Sequence, residues 1–418
     1  MDKRLISLWL VLMLMVGFAA CLQEQSAKGY NAEKDYKIKI IDDGKAVEIV
    51  GYKGKKKEVV IPSHIQNLPV TVIGNRAFAK SRFPLLHYLQ NQLFAVIGDR
   101  ALTEDQITNV IIPDSVISIG DWAFADNQLT SVIIPDGVRT IGKNAFYKNY
   151  LTSMVISDSV TSIGESAFAC NQLADIIIPD GVTAIGKEVF AYNQLTSVAI
   201  PESVTFIGAG AFQNNRLASI TIPSGVTAIE EWAFTENQLT SVIIPCSVRA
   251  IGDLAFYNNR LSSITIPPGV TAIGEWAFAK NQLTSVIIPS SITSIERAAF
   301  MNNQLTSATI PDTVTSIKGA AFRKNRLTSV TIPDSVISIG DRAFYENQLA
   351  SVTIPDGVTI IGVEAFHGNQ IARVTIGTHV KLGSRAITAF DGGFDKLYRK
   401  NGRKGGTYIY SNKGWSVQ

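Results

Sequence analysis

Few residues in this 418-residue chain combine a reactive side chain with a spacing that could do chemistry. The histidines are His64, His87, His367 and His379, and none pairs at the spacing of a helical metal or metalloprotease motif. Cys170 and Cys246 lie 76 residues apart, match no zinc-ligand spacing and are expected to be free thiols. No glycine-rich loop follows a strand pattern as a phosphate site demands. Carboxylates recur after proline, as in Pro135-Asp136-Gly137, where they read as turn residues. Catalysis needs an asymmetric constellation of groups. We therefore read the chain as no enzyme, with no metal and no cofactor.

The elements that position every side chain come from one repeated unit. Twelve 22-residue units start at position 113 and run in steps of 22 to 355, so the array spans 113–376. A strict period in this range is the signature of a solenoid, in which each coil stacks only on its neighbours. Four columns are constant through all twelve units: Ile119 to Ile361, Phe124 to Phe366, Asn127 to Asn369 and Ile134 to Ile376. Such constancy is what stacking requires, because a change of volume disturbs two interfaces at once.

Within a unit, Leu129 to Ile134 reads as a strand with Val132 and Ile134 inward and Ser131 and Ile133 outward. Pro135 closes it, since proline donates no hydrogen bond. A short extended piece, Val138 to Ile141, ends at Gly142. Gly-x-x-Ala-Phe then predicts a tight helical or 3₁₀ bend that inserts the ring. The Asn column is expected to satisfy backbone groups left open by that bend. The fold class is thus a mainly β repeat solenoid, roughly 55–65 Å long at ~4.8 Å per coil.

The flanks differ. Residues 34–78 read as a β-rich N-terminal cap and first repeat, with Tyr36 to Ile40, Val47 to Val50 and Glu58 to Ile61 extended. Residues 79–112 break the period, as a degenerate coil or an insertion. Residues 377–418 read as a C-terminal cap with a basic tail that includes Lys396, Arg399, Lys400, Arg403 and Lys404. Caps are needed because an open coil end would expose core.

At the N-terminus, Lys3 and Arg4 precede an apolar run from Leu5 to Val16, then Gly17-Phe18-Ala19-Ala20-Cys21. This reads as an export signal over 1–20 and is too short for a membrane span. It resembles a bacterial lipoprotein signal, which implies a lipid on Cys21 at the head of a linker over 21–33; cleavage near Ala20 as an ordinary signal is the alternative. The formal charge is +3, and +2 without residues 1–20, too little to argue for nucleic-acid binding.

The full unit, I-P-x-x-V-T-x-I-G-x-x-A-F-x-x-N-x-L-T-S-V-x, resembles the BspA-like leucine-rich repeats of bacterial cell-surface proteins. The likeness covers 113–376 and reaches upstream through Val59 to Pro62 and Val70 to Phe78. It departs at the Asn127 column, where that subclass often carries cysteine. The resemblance implies a surface-anchored lipoprotein that binds proteins and adheres to host matrix or to other cells. The alternative is a scaffold inside the envelope that binds the cell's own proteins or wall glycan. Candidate contact residues are the aromatics of the variable columns beside the bend: Trp122, Tyr147, Tyr192, Trp232, Tyr257, Trp276 and Tyr345. Equally open is that tryptophan here packs over the adjoining coil.

Overall fold

The computed structural model describes residues 29–79, 106–383, 390 and 392–418. The expected signal peptide, Cys21, most of the linker and residues 80–105 of the irregular segment lie outside these residues.

The array is a mainly β solenoid of about 14 turns. Each of the twelve coils contributes a short strand and a bend, and most add a second strand. Thr140–Ile141 is one short strand; it pairs in parallel with Ser118–Ile119 on one side and Ser162–Ile163 on the other. Ser131–Ile134 is one second strand and pairs in parallel with Ser153–Ile156, each residue on its copy 22 positions away. Val132 and Ile134 are buried, as alternation requires.

The bend departs from expectation: no helix forms there. Two residues per coil take left-handed backbone conformation, Trp122 (φ 60°) and Asp126 (φ 59°) in the first, and the same two columns do so in all twelve coils. A helix would direct its N–H groups within the coil. Here they run along the solenoid axis instead. Trp122 N–H donates to Lys143 O at 2.8 Å, Phe124 N–H to Ala145 O at 2.7 Å and Asp126 N–H to Tyr147 O at 2.9 Å. This triple recurs at every junction as far as Glu346 to His367. Left-handed conformation costs a non-glycine residue roughly 1–2 kcal/mol. The continuous ladder offsets that cost, and no β-branched residue, for which the cost is highest, occupies either column.

The asparagine column completes the bend. Asn149 donates to Phe124 O of the preceding coil at 3.0 Å and Phe146 O of its own at 3.2 Å, and its Oδ1 accepts from Leu129 N–H at 3.0 Å. One amide thereby satisfies three buried backbone groups across a junction. The phenylalanine rings form a single stack from Phe78 to Phe390, with centroids 4.9–5.8 Å apart. Phe78 stacks directly on Phe124 at 4.9 Å, so the ladder passes from one to the other without an intervening coil.

The caps close the stack differently. At the N-terminal end Tyr36–Ile41 pairs antiparallel with Ala46–Tyr52, which pairs in parallel with Leu68–Ile73, and Tyr36 and Tyr52 cover Phe78. The pattern does not stop at Ile376: Lys381–Leu382 extends the short-strand ladder and Phe390 the ring stack. Gly406–Ser411 then pairs antiparallel with Arg373–Ile376, and Gly414–Val417 pairs on Gly406–Ser411. The helix Phe394–Lys400 lays Phe394 against Phe390.

The two strand ladders are not continuous. The short-strand ladder is open between Ile163 and Ile185, between Ile207 and Ile229, and between Ile273 and Ile295. At those junctions the second strands close instead: Ile177 bridges Ala199, Ser219–Thr221 pairs with Ser241–Ile243, and Ser285–Ile287 pairs with Ser307–Thr309. Sequence explains the positions. A Cβ added at Gly142 would lie 2.6 Å from Asp121 N of the preceding coil, so a side chain in this column crowds that coil. Glu230 and Glu296 replace that glycine at two of the three openings. At the third, Val189 stands where the other coils have alanine, and Gly186 has no neighbour closer than 3.6 Å. Lys318 also replaces the glycine yet keeps its bond to Ile295 O at 2.9 Å, which nothing in the structure explains.

Candidate functional site

The array presents two contrasting surfaces. The first is the bend edge, where the seven candidate aromatics lie in three columns. Trp122, Trp232 and Trp276 share the first left-handed column, Tyr192 the second, and Tyr147, Tyr257 and Tyr345 the position before it. Left-handed backbone turns the three tryptophans out of the core, and Trp232 is 45% exposed and Tyr192 42%.

The structure brings some of them together. Trp122 meets Tyr147 edge-on at 5.8 Å, with the Arg76 guanidinium 6.0 Å from the indole. Tyr257 meets Trp276 edge-on at 6.1 Å, with Lys280 Nζ 5.0 Å from the phenol ring. Tyr345 stacks on His367 at 5.7 Å between Arg323 and Arg342. Tyr192 and Trp232 belong to none of these groups. The seven therefore do not form one pocket; they mark separate stations along one edge. Sequence reasoning missed the cations Arg76, Lys280, Arg323 and Arg342. Only Arg323 lies one full repeat of 22 residues from its aromatic partner, Tyr345; Arg342 shares the coil of Tyr345, and the other two pairings follow from how the coils stack.

Around Tyr147 and Cys170, burial favours the neutral form of both groups. Burial, then the neighbouring Cys170 thiol with which it hydrogen-bonds, pushes the Tyr147 phenol well above its ordinary value. Burial likewise raises Cys170. Cys170 and Cys246 are both free thiols. Charged side chains pair across coils, as Lys143 does with Glu165 and Arg342 with Glu364.

The second surface is the outward side of the second strands. It displays a serine column from Ser131 to Ser351, interrupted by Asp175 and followed by Arg373, beside a column of isoleucine, valine, threonine and alanine. Ile243 and Ile287 are 71% and 72% exposed. Isoleucine side chains this open on an ordered strand are available for contact. The surface has hydroxyls to hydrogen-bond and methyls to bury but little charge, which suits binding and supplies no nucleophile–base pair.

Among the described residues no group of three or more His, Cys, Asp and Glu is placed to hold a metal ion. No helix among them is long and apolar enough to cross a membrane.

The repeat model for the BspA type leucine-rich repeat region matches residues 95–218, 206–326 and 315–391. No curated protein matches the chain. Among solved structures, a leucine rich cell surface protein from Faecalibacterium prausnitzii is 26% identical, with a TM-score of 0.57 over 90% of this chain and 97% of that one. A leucine-rich repeat protein from Bacteroides ovatus is 22% identical, with a TM-score of 0.56 over 85% of this chain and 90% of that one, a likeness of fold. Proteins of this type are generally surface proteins that interact with other proteins and are not generally enzymes. The three matched regions, which together run from 95 to 391, make this chain a member of the BspA-type leucine-rich repeat family.

Proposed function

We propose that this chain is an exported lipoprotein, anchored through a lipid on Cys21, that displays its array on the outer surface of a bacterial cell and binds proteins of host matrix or of other cells. The observation that carries this reading is the strand surface. It repeats a low-charge pattern of hydroxyls and methyls over twelve coils and leaves Ile243 and Ile287 more than 70% exposed. Many modest contacts along such a repetitive face add through effective concentration rather than through one deep pocket. The aromatic stations of the bend edge, Trp122, Tyr147, Tyr192, Trp232, Tyr257, Trp276 and Tyr345, are the second set of candidate contacts.

Protease treatment of intact cells, with a periplasmic protein as control, tests the placement. Loss of this chain with the control intact supports display outside the cell. Protection until the envelope is broken would favour the internal scaffold. Binding to wells coated with fibronectin, laminin or collagen tests the partner. The double variant Ile243→Lys and Ile287→Lys is expected to weaken that binding while leaving the melting midpoint in place. Unchanged binding would remove the strand face from the account.

A further inference from the structure

We propose that the C-terminal cap carries a separate binding site for an anionic polysaccharide. The proposal is independent of what the array binds. Residues 377–418 hold eight Lys and Arg against two Asp, a net +6 in a chain whose total is +3, so the preceding residues sum to −3. Charge this concentrated at one end focuses attraction for a polyanion.

The cap also has a shape for one. A shallow, solvent-open pocket is lined by Gly392, Gly393, Lys396, Leu397, Lys400 and Trp415. Lys396 and Lys400 are four apart on the helix Phe394–Lys400 and so project from one face. Both are exposed, and among the described residues neither joins an ion pair. The Trp415 ring in the pocket wall is fixed by edge-on contact with Phe394 at 5.2 Å and by Tyr410 at 5.3 Å. A Cβ at Gly392 would come within 3.1 Å of Trp415 Nε1 and of Tyr410, so glycine there keeps the wall uncovered. By contrast Arg399 is occupied structurally, donating to Leu382 O and Gly383 O at 3.1 and 2.8 Å.

An indole beside two ammonium groups matches a sugar ring that carries phosphate, sulfate or carboxylate. The ring's apolar face lies on the indole, and its charged substituents meet the lysines. A lipid surface fits less well. The buried residues of the helix, Phe394, Asp395 and Tyr398, face the cap core and leave no apolar stripe to insert.

Binding of the full chain to short dextran sulfate, with neutral dextran as the charge-free control, tests the site. We expect salt-sensitive binding to the first and none to the second. The variant K396Q/K400Q should weaken binding roughly tenfold or more, the loss of two charge-assisted contacts. K404Q/K413Q, which removes the same charge from exposed cap positions outside the pocket, should weaken it far less. Equal losses in the two variants would overturn the pocket, and absence of dextran sulfate binding would overturn the site. Equal or tighter binding to polyphosphate, duplex DNA or phosphatidylglycerol vesicles would overturn the saccharide. Both variants exchange exposed lysines, and unchanged melting midpoints establish that they fold.

Discussion

The bend edge and the strand face of this solenoid are built from the same repeats, yet they are held together in different ways. The bend edge is bonded at every junction: three backbone hydrogen bonds, one asparagine amide and one ring contact join each coil to the next. The strand face is bonded intermittently. Ser219–Thr221 and Ser241–Ile243 pair, as do Ser285–Ile287 and Ser307–Thr309, whereas positions 263–266 and 329–332 form no strand ladder. The coils are thus joined continuously along the bend, and neighbours also touch on the short-strand ladder, the second-strand ladder or both. The difference teaches where sequence constancy does its work. The constant Phe and Asn columns serve the bend and the constant Ile columns the core beneath the two strands, while the outward column of isoleucine, valine, threonine and alanine on the strand face varies.

The largest test of this contrast is a ring. Phe234 is fully buried between Phe212 and Phe256, with centroids 5.8 and 5.6 Å away. Phe234→Ala should cost ~3–5 kcal/mol in chemical denaturation, whereas Gln238→Ala should stay within ~0.5 kcal/mol. Next comes Asn237→Ala. Asn237 donates to Phe212 O at 2.9 Å and accepts from Leu217 N–H at 3.0 Å, and its loss leaves both buried. Each such group costs about 1–3 kcal/mol, so a total of about 2–4 kcal/mol is expected. Ser241→Ala on the strand face should change stability by no more than ~0.5 kcal/mol. A comparable loss from Ser241 and Asn237 would break the comparison.

Gly252→Ala sharpens it. A Cβ there would lie 2.6 Å from Glu231 N, so the backbone must shift at this junction. We expect a cost of about 1–3 kcal/mol and faster exchange of the Gly252 amide, which now bonds Ile229 O at 2.7 Å. An unchanged amide would contradict the crowding explanation of Glu230 and Glu296.

A smaller effect comes from alkali. Burial raises Tyr36 and Tyr147, at the end of the ring stack and on the bend edge, above the ordinary value of 10.0. The unfolded phenols lose their protons first as pH rises. The stability these groups contribute is therefore full below about pH 10 and is lost as pH climbs above it. The melting midpoint should fall above pH 10, and Tyr147→Phe should blunt the fall.

Much of this was legible in the sequence. The stacked Ile, Phe and Asn columns announced themselves by constancy, and the asparagine's role followed from a polar residue held constant inside a core. The bend was not legible as read. Its left-handed columns are filled by Trp, Lys, Glu, Arg, Asn and others, which hides a shared backbone state behind unlike side chains. The available signal was an absence, since neither column contains Val, Ile or Thr. Glu230 and Glu296 were visible as lost glycines, but their effect depends on a backbone approach that only the structure supplies. The aromatic stations were placed on the correct edge, yet their grouping with Arg76, Lys280 and Arg323 needed neighbouring coils in register. The C-terminal basic residues stood out by charge, while the pocket that Lys396 and Lys400 share with Trp415 depends on the hairpin that carries the indole.

Residue-resolved amide hydrogen exchange across the array tests the central claim most directly. Bend amides such as Phe212, Phe234, Phe256 and Phe322 should be protected alike in every coil. On the strand face, the paired segments Ser241–Ile243 and Ser285–Ile287 should be protected, and positions 263–265 and 329–331 should exchange fast. Uniform protection on both faces, or a bend that opens before the strands, would contradict the account.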